Sequence, residues 1–155
     1  MHRIEPAPVV KSVTVSASPA RAFEIFASGM GDWWLKTHSL TTSGQKTVVV
    51  EPRAGGRWYE IGTAGEEKEW GRVLAYEPPH RILFAWQLNA DWDFDPQFQT
   101  EVEVTFEAIA DGGTTVRLEH RDLANYGAKA EEARGSLDTE GGWAGLLQAF
   151  AAKAG

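Results

Sequence analysis

Residues 139–154 read TEGGWAGLLQAFAAKA, and this stretch at the end of the chain decides the fold. Its large apolar residues follow the i, i+3, i+4, i+7 spacing of one helical face: Trp143, Leu146, Leu147 and Phe150. Thr139 is the predicted N-cap, while glycines at 141, 142 and 145 weaken the helix by roughly 1 kcal/mol each against alanine. We therefore expect a helix over Thr139–Ala154 that is stable only when its apolar stripe packs on another surface.

The preceding residues supply that surface, because they alternate between apolar and polar side chains and are separated by turn-forming residues. Seven strands are predicted, at Val9–Ala17, Thr47–Glu51, Arg57–Ile61, Glu67–Tyr76, Ile82–Leu88, Thr100–Ile109 and Thr114–Arg121. Their short links indicate antiparallel neighbours. The direction in which side chains of 57–61 and 70–76 point is left open by the pattern.

Short helices are predicted outside the strands. Ser18-Pro19 has the N-cap and N1 residues of a first helix, and Asp32–Leu35 forms a second helical turn. A third short helix is expected over Ala128–Arg134. The fold class is therefore α+β, with a curved seven-stranded antiparallel sheet wrapped around the last helix.

Composition narrows the function. A chain of 155 residues with no internal repeat or linker is expected to form one domain, 1–155. A net charge of −7 argues against nucleic acid and anionic membranes as partners, and no apolar run approaches the ~20 residues of a membrane span. No cysteine is present, which excludes thiolate chemistry. A cytoplasmic protein is the default expectation, and the seven tryptophans suggest a wide interior.

Several motifs resemble those of a known superfamily. They are Ser18-Pro19 with Ala22-Phe23, Trp33-Trp34, Gly55-Gly56-Arg57-Trp58, Trp70-Gly71-Arg72-Val73, Pro78-Pro79, Phe84-Ala85-Trp86, Thr100 to Phe106, Gly112-Gly113-Thr114 and Gly142-Trp143. As a set they resemble the helix-grip fold of the START-like (SRPBCC) superfamily, in the branch named for the heat-shock-protein-90 ATPase activator homologue. The resemblance implies a cavity between sheet and last helix that holds lipids, sterols, polyketides or other apolar molecules. It implies no catalytic set and no cofactor.

Twelve residues are the candidates for lining that cavity: Trp34, Trp58, Glu60, Trp70, Phe84, Trp86, Phe106, Leu118, His120, Trp143, Leu147 and Phe150. Cavities for small molecules are mostly apolar with a few polar groups, which this set would provide. The alternative is that the rings simply fill the core.

Among the candidate polar groups, His120 has the widest range of chemical roles. It continues the inward phase of Val116 and Leu118, so it would orient a ligand or exchange protons near neutral pH. The alternative is a hydrogen-bonded core histidine or one at the rim of the cavity, since alternation turns Glu119 and Arg121 outward.

Two further segments carry alternatives. Asp91, Asp93 and Asp95 have the spacing of a calcium loop, but Pro96 and Val102 stand where that loop needs glycine and glutamate, so no metal is predicted. Trp92, Phe94 and Phe98 in the same loop favour a loop that covers the cavity mouth or meets a partner. Trp33-Trp34 would either gate the cavity or plug the core.

Three functions remain, in this order. The first is binding of a small apolar or amphipathic molecule in the cavity. The second is a small cyclase- or hydrolase-type enzyme that uses the same cavity and needs an inward His120 with a polar partner. The third is a chaperone-associated protein of the stress response. A homodimer is left open.

Overall fold

A computed structural model describes residues 7–139 and 142–155 of the chain. Seven strands are present: β1 Val9–Val15, β2 Gln45–Val50, β3 Arg57–Gly62, β4 Glu67–Glu77, β5 Arg81–Trp86, β6 Thr100–Ala108 and β7 Thr114–Arg121. They form one curled antiparallel sheet in the order β1-β7-β6-β5-β4-β3-β2. The predicted strands are confirmed, with ends that differ by at most two residues.

Strands β1 and β2 are the two edge strands of the sheet, and two helices connect them across its concave face. Helix α1, Pro19–Ala27, begins where predicted, and the Ser18 hydroxyl accepts a hydrogen bond from the Arg21 N–H. Helix α2 is Met30–Trp33, so the second turn begins two residues earlier than the sequence suggests. Both helices pack against the last helix.

Two helical segments follow β7. Residues Leu123–Lys129 form 3₁₀ turns that Gly127 interrupts with a positive φ of 62°. Helix α3 then runs over Ala130–Leu137, which extends the predicted short helix by three residues at its C-terminal end.

The last helix, α4, spans Trp143–Ala154 and is shorter than predicted. The prediction of Thr139 as N-cap was wrong: Gly142 occupies that position without a side-chain cap, and the Thr139 hydroxyl donates to the Ser136 carbonyl. The predicted helical residues 140–141 lie outside the described residues. At its other end the helix is tied to β1, because the Ser16 and Ala17 N–H groups donate to the carbonyls of Gly155 and Ala154. These bonds also explain why β1 ends at Val15 rather than at Ala17.

The concave face of the sheet carries the apolar side chains. In β3, Trp58 and Glu60 point inward and are fully buried, which resolves the direction that the sequence left open. In β4 a β-bulge lies opposite Trp58 and Tyr59, whose partners are Gly71 and Glu69, so Trp70 is the extra residue. This bulge explains why β4 does not follow simple alternation and why Trp70 is buried.

None of the helices in residues 7–139 and 142–155 is both long and apolar enough to cross a membrane.

Candidate ligand cavity

A cavity of about 440 Å³ lies beside the N-terminal end of α4, within the range typical of small-molecule sites. Its walls come from β4, from the end of β5, from α4 and α3, and from the loops that follow α2 and β5. The lining residues are Trp34, Thr37, His38, Ser39, Leu40, Trp70, Trp86, Leu88, Trp92, Ser136, Leu137, Gly142, Trp143 and Leu146. Most of this surface is apolar, and its polar groups are concentrated in residues 37–39 and at Ser136.

Four of the twelve candidate residues come together on the wall: Trp34, Trp70, Trp86 and Trp143. Their rings pack edge to face or tilted, with centroids 4.7 Å apart for Trp34 and Trp70 and 5.6 Å apart for Trp86 and Trp143. All four are buried, so the wall is built of rings held by their neighbours. Such rings supply large apolar contact area with little conformational freedom to lose on binding.

Hydrogen bonds fix three of these indoles. The Trp34 N–H donates to the His38 carbonyl over 3.2 Å, and the Trp86 N–H donates to the Tyr126 hydroxyl over 3.1 Å. The Trp143 N–H donates to Nδ1 of His120 over 3.0 Å. The N–H of Trp70 is buried without a hydrogen-bond partner in the described part of the chain.

The wall opposite the sheet is a loop held by a buried carboxylate. Glu60 is fully buried and accepts hydrogen bonds from the Leu40 N–H at 2.9 Å, from the Thr41 hydroxyl at 2.9 Å and from the Ser39 hydroxyl. Since Ser39 and Leu40 line the cavity, Glu60 shapes the cavity from behind rather than from its surface.

His120 lies behind the wall, in a continuous chain of hydrogen bonds. Nδ1 accepts from Trp143, Nε2 lies 2.7 Å from the Thr100 hydroxyl, and that hydroxyl donates to the Trp86 carbonyl. The Trp143 N–H can only donate, so Nδ1 is unprotonated and the proton resides on Nε2. Burial lowers the pKa of His120 from 6.5 to about 3. The ring is neutral near pH 7, and both nitrogens are already bonded.

The other candidates pack in the core beyond the cavity. They are Trp58, Phe84, Phe106, Leu118, Leu147 and Phe150, each at most 3% exposed. Trp58 stacks on Phe84 with centroids 4.4 Å apart, and Phe150 meets Phe26 at 5.3 Å. They share the inward phase of the cavity residues, but none of them is among the residues that line the cavity.

Sequence reasoning missed much of the lining. The sequence pattern gave no reason to single out His38, yet it lies on the wall, and its Nδ1 is 3.0 Å from the Thr37 hydroxyl. Leu146 was assigned to the helix stripe but not to the cavity. One signal could have indicated that residues 37–40 line the cavity. They follow Trp33-Trp34, the pair that was predicted either to gate the cavity or to plug the core.

The loop after β5 carries Trp92 at the cavity mouth, with 49% of its surface exposed. Asn89 holds the loop, because its side-chain oxygen accepts from the N–H groups of Asp91 and Asp93 at 3.0 and 3.1 Å. Asp91 forms an ion pair with Lys129, 3.3 Å away. Within residues 7–139 and 142–155, no group of three or more acidic or histidine side chains is arranged to hold a metal.

A smaller pocket of about 200 Å³ adjoins the cavity and shares Trp92, Ser136 and Leu137 with it. Its other walls are more polar and include Lys129 and Tyr126. The Tyr126 hydroxyl donates to the Leu88 carbonyl over 3.0 Å, and burial raises its pKa to about 12. This phenol therefore stays protonated and structural at neutral pH.

The curled sheet, the terminal helix against its concave face and the cavity between them define a helix-grip protein of the START-like (SRPBCC) superfamily. A sequence profile of the family described as "Activator of Hsp90 ATPase homolog 1-like protein" matches residues 16–155. The chain belongs to this family.

Solved structures of similar proteins support the assignment. One is described as an anthrahydroquino-γ-pyrone synthase, Txn09, complexed with SUM; it is 37% identical, with a TM-score of 0.66 over 96% of this chain and 97% of that one. Another is CalC from Micromonospora echinospora, described as a self-sacrificing resistance protein, 34% identical with a TM-score of 0.72 over 96% and 94%. The Aha1 dimer from Colwellia psychrerythraea shares only the fold, at 14% identity and a TM-score of 0.63 over 96% of each chain. A comparison with curated protein sequences found no match.

Proposed function

We propose that the protein binds a flat, mostly apolar molecule containing fused rings in the 440 Å³ cavity. The observation that carries the proposal is the wall of four buried indoles, Trp34, Trp70, Trp86 and Trp143. Tilted and edge-on rings of this kind offer faces and edges on which a planar molecule can stack. One of the two neighbours above 30% identity supports the proposal, because it is described as an anthrahydroquino-γ-pyrone synthase, a name that denotes a fused-ring product.

Apolar burial supplies the affinity. Covering about 250 Å² of a planar ligand contributes roughly 6 kcal/mol at about 25 cal/mol per Å². Lost translational and rotational freedom opposes this term, so dissociation constants in the micromolar range are expected for simple probes.

The test is a titration with anthracene-2-sulfonate, followed by tryptophan fluorescence and calorimetry. We expect one site per chain and quenching of the cavity indoles. A variant that fills the cavity, Leu146→Trp, should abolish binding, whereas Gln148→Trp on the exposed side of the same helix should bind like wild type. Equal binding by wild type and Leu146→Trp would place the probe elsewhere and reject the proposal.

A second candidate function is catalysis in the same cavity, and the position of His38 on its wall favours it. A γ-pyrone forms when a phenol oxygen attacks the distal carbonyl of a neighbouring 1,3-diketone and the adduct loses water, a reaction that one acid–base group can assist. His38 is the candidate group, because His120 is neutral and bonded at both nitrogens.

The test uses 1-(2-hydroxyphenyl)butane-1,3-dione, which gives 2-methylchromone and water on cyclisation. A rate enhancement that disappears in His38→Gln would support catalysis. No enhancement over buffer would leave binding as the function of the cavity.

A chaperone partner and a homodimer stay predictions. Among the described residues, the exposed large apolar side chains are Val10, Trp92 and Phe94. Pulldown of a chaperone and light scattering of the purified protein would test a chaperone partner and a homodimer. The cytoplasmic location is likewise a proposal.

A further inference from the structure

Trp70 differs from the other buried tryptophans. Six of the seven indoles are buried, and five of them donate their N–H to an acceptor: Trp33 to Ile25, Trp34 to His38, Trp58 to the Met30 sulfur, Trp86 to Tyr126 and Trp143 to His120. Trp70 is 2% exposed, and its N–H has no partner in the described part of the chain. A buried donor left unpaired opposes folding, so such groups are rare and call for an explanation.

The position of Trp70 provides the explanation. The residue lines the cavity, and the β-bulge of β4 directs its side chain there, since it is the extra residue between Glu69 and Gly71. Bulges next to binding sites commonly re-aim one side chain in this way. The unpaired donor therefore belongs to a ring of the cavity wall, although the nitrogen itself lies beneath the cavity surface.

We propose that the ligand of this cavity carries a carbonyl-type oxygen, as in a quinone or pyrone, that accepts a hydrogen bond from the Trp70 N–H. This inference rests on the proposed function and narrows the ligand class to fused rings with an acceptor oxygen. The indole nitrogen has no solvent contact in this structure. The proposed hydrogen bond therefore requires a neighbouring ring, such as that of Trp34 with its centroid 4.7 Å away, to shift as the ligand enters.

The other buried polar atoms without a partner do not compete with this assignment. Among the residues that the structure describes, they are the side-chain oxygens of Gln45 and Gln87, whose amide nitrogens still donate to the His38 and Pro96 carbonyls. Neither glutamine lines the cavity. Trp70 has one polar side-chain atom, and that atom is the unpaired one.

The experiment compares two probes that differ only in the acceptor. Anthraquinone-2-sulfonate and anthracene-2-sulfonate have the same fused-ring skeleton and charge, but only the first has carbonyl oxygens. Their dissociation constants are measured by calorimetry for wild type and for Trp70→Phe. We expect the ratio of the two affinities to shift by about tenfold toward anthracene-2-sulfonate in Trp70→Phe, because only the quinone loses a hydrogen bond.

Trp33→Phe is the matched control. It removes the N–H of a buried indole that lies outside the cavity lining and is already bonded to the Ile25 carbonyl, so the ratio of affinities should stay as in wild type. Replacement of Trp70 by the benzothiophene analogue of tryptophan removes the N–H while keeping both rings. It should shift the ratio as Trp70→Phe does, and it serves as the test if Trp70→Phe does not fold.

The outcomes separate the two proposals. Binding of both probes with a ratio that no Trp70 variant changes would overturn the hydrogen bond and leave the binding function intact. Binding of neither probe to wild type would overturn the proposed function and this inference with it.

Discussion

His120 shows how one buried side chain sets the position of two cavity walls. Its ring accepts a hydrogen bond from Trp143 on α4 and contacts Thr100 on β6, which in turn donates to the Trp86 carbonyl. A phenylalanine in this place would fill the space but leave the Trp143 N–H without an acceptor. The histidine therefore orients the indoles that face the ligand, although it does not reach the cavity itself.

The depressed pKa of His120 predicts a loss of stability in acid. The folded protein holds the ring neutral down to a pKa of about 3, while the unfolded chain protonates it near 6.5. Above pH 6.5 neither state binds this proton, and below it only the unfolded state does. The free energy of unfolding should fall by up to about 1.4 kcal/mol per pH unit between pH 6 and 4 from this residue.

Urea denaturation of wild type and His120→Gln at pH 8, 6 and 5 measures this effect. Wild type should be the more stable protein at pH 8, and the difference should shrink as the pH falls. A difference that is constant over this range would contradict the lowered pKa.

Trp92 is held in a backbone conformation that favours glycine, with a φ of 63°. Bulky residues rarely adopt this region, and strain of this kind is concentrated at ligand clamps. The ring nevertheless lies at the mouth of the cavity, with its centroid 6.2 Å from that of Trp86. Position 92 of this loop is therefore occupied by tryptophan although its backbone conformation is one that glycine adopts more readily.

We predict that Trp92→Gly is more stable than Trp92→Ala by about 1 kcal/mol, the reverse of the usual order, because both lose the ring but only alanine keeps the strain. Both should bind anthracene-2-sulfonate more weakly than wild type. Phe94, on the same loop and outside the cavity lining, is the control: Phe94→Ala should be more stable than Phe94→Gly, with binding unchanged. Thermal unfolding and calorimetry give both readouts.

At the scale of elements, the loop after α2 depends on β3. Glu60 accepts hydrogen bonds from Ser39, Leu40 and Thr41, so a strand residue fixes the position of this loop. Alternation brings Glu60 to the inner face beside Trp58, where a carboxylate must be fully hydrogen-bonded to be tolerated.

Glu60→Ala is expected to lower the free energy of unfolding by about 2–4 kcal/mol, because several buried donors lose their acceptor. The amide protons of Leu40 and Thr41 should exchange faster with deuterium, and anthracene-2-sulfonate should bind more weakly. Glu66→Ala is the control: Glu66 accepts from Thr42 and Ser43 next to the same loop, but at the surface, so its loss should change little. Unchanged exchange at Leu40 in Glu60→Ala would refute this role.

At the scale of the whole molecule, α4 fills only part of the space that the sheet encloses. Phe150 packs against Phe26 of α1 and Trp33 of α2, and Leu147 is buried outside the cavity lining, while Trp143 and Leu146 border the cavity. The helix is therefore a core element over its C-terminal half and a cavity wall at its N-terminal end.

Two neighbouring leucines of α4 test this division. Leu147→Ala should cost about 2–5 kcal/mol of stability, as for a fully packed leucine, and leave binding of anthracene-2-sulfonate unchanged. Leu146→Ala should cost about 2 kcal/mol or less, because its side chain already faces a void, and should weaken binding severalfold. Equal costs and equal binding would show that the cavity does not reach α4.

The sequence alone determined the strands, their antiparallel order and the helix that they enclose, because side-chain periodicity and turn residues are local signals. It also predicted the inward direction of His120, but it left open the direction in which Trp58 and Trp70 point. The alternation of apolar and polar residues in a strand, however, indicates only which face of the sheet a side chain occupies. Whether that part of the face is covered by α1 or left open beside Trp143 depends on contacts between residues distant in the chain. The tertiary structure therefore decided that Trp58 and Phe150 are core and that His38 and Trp92 border the cavity. It also decided that Trp70 lies in a β-bulge and that its N–H has no partner among residues 7–139 and 142–155.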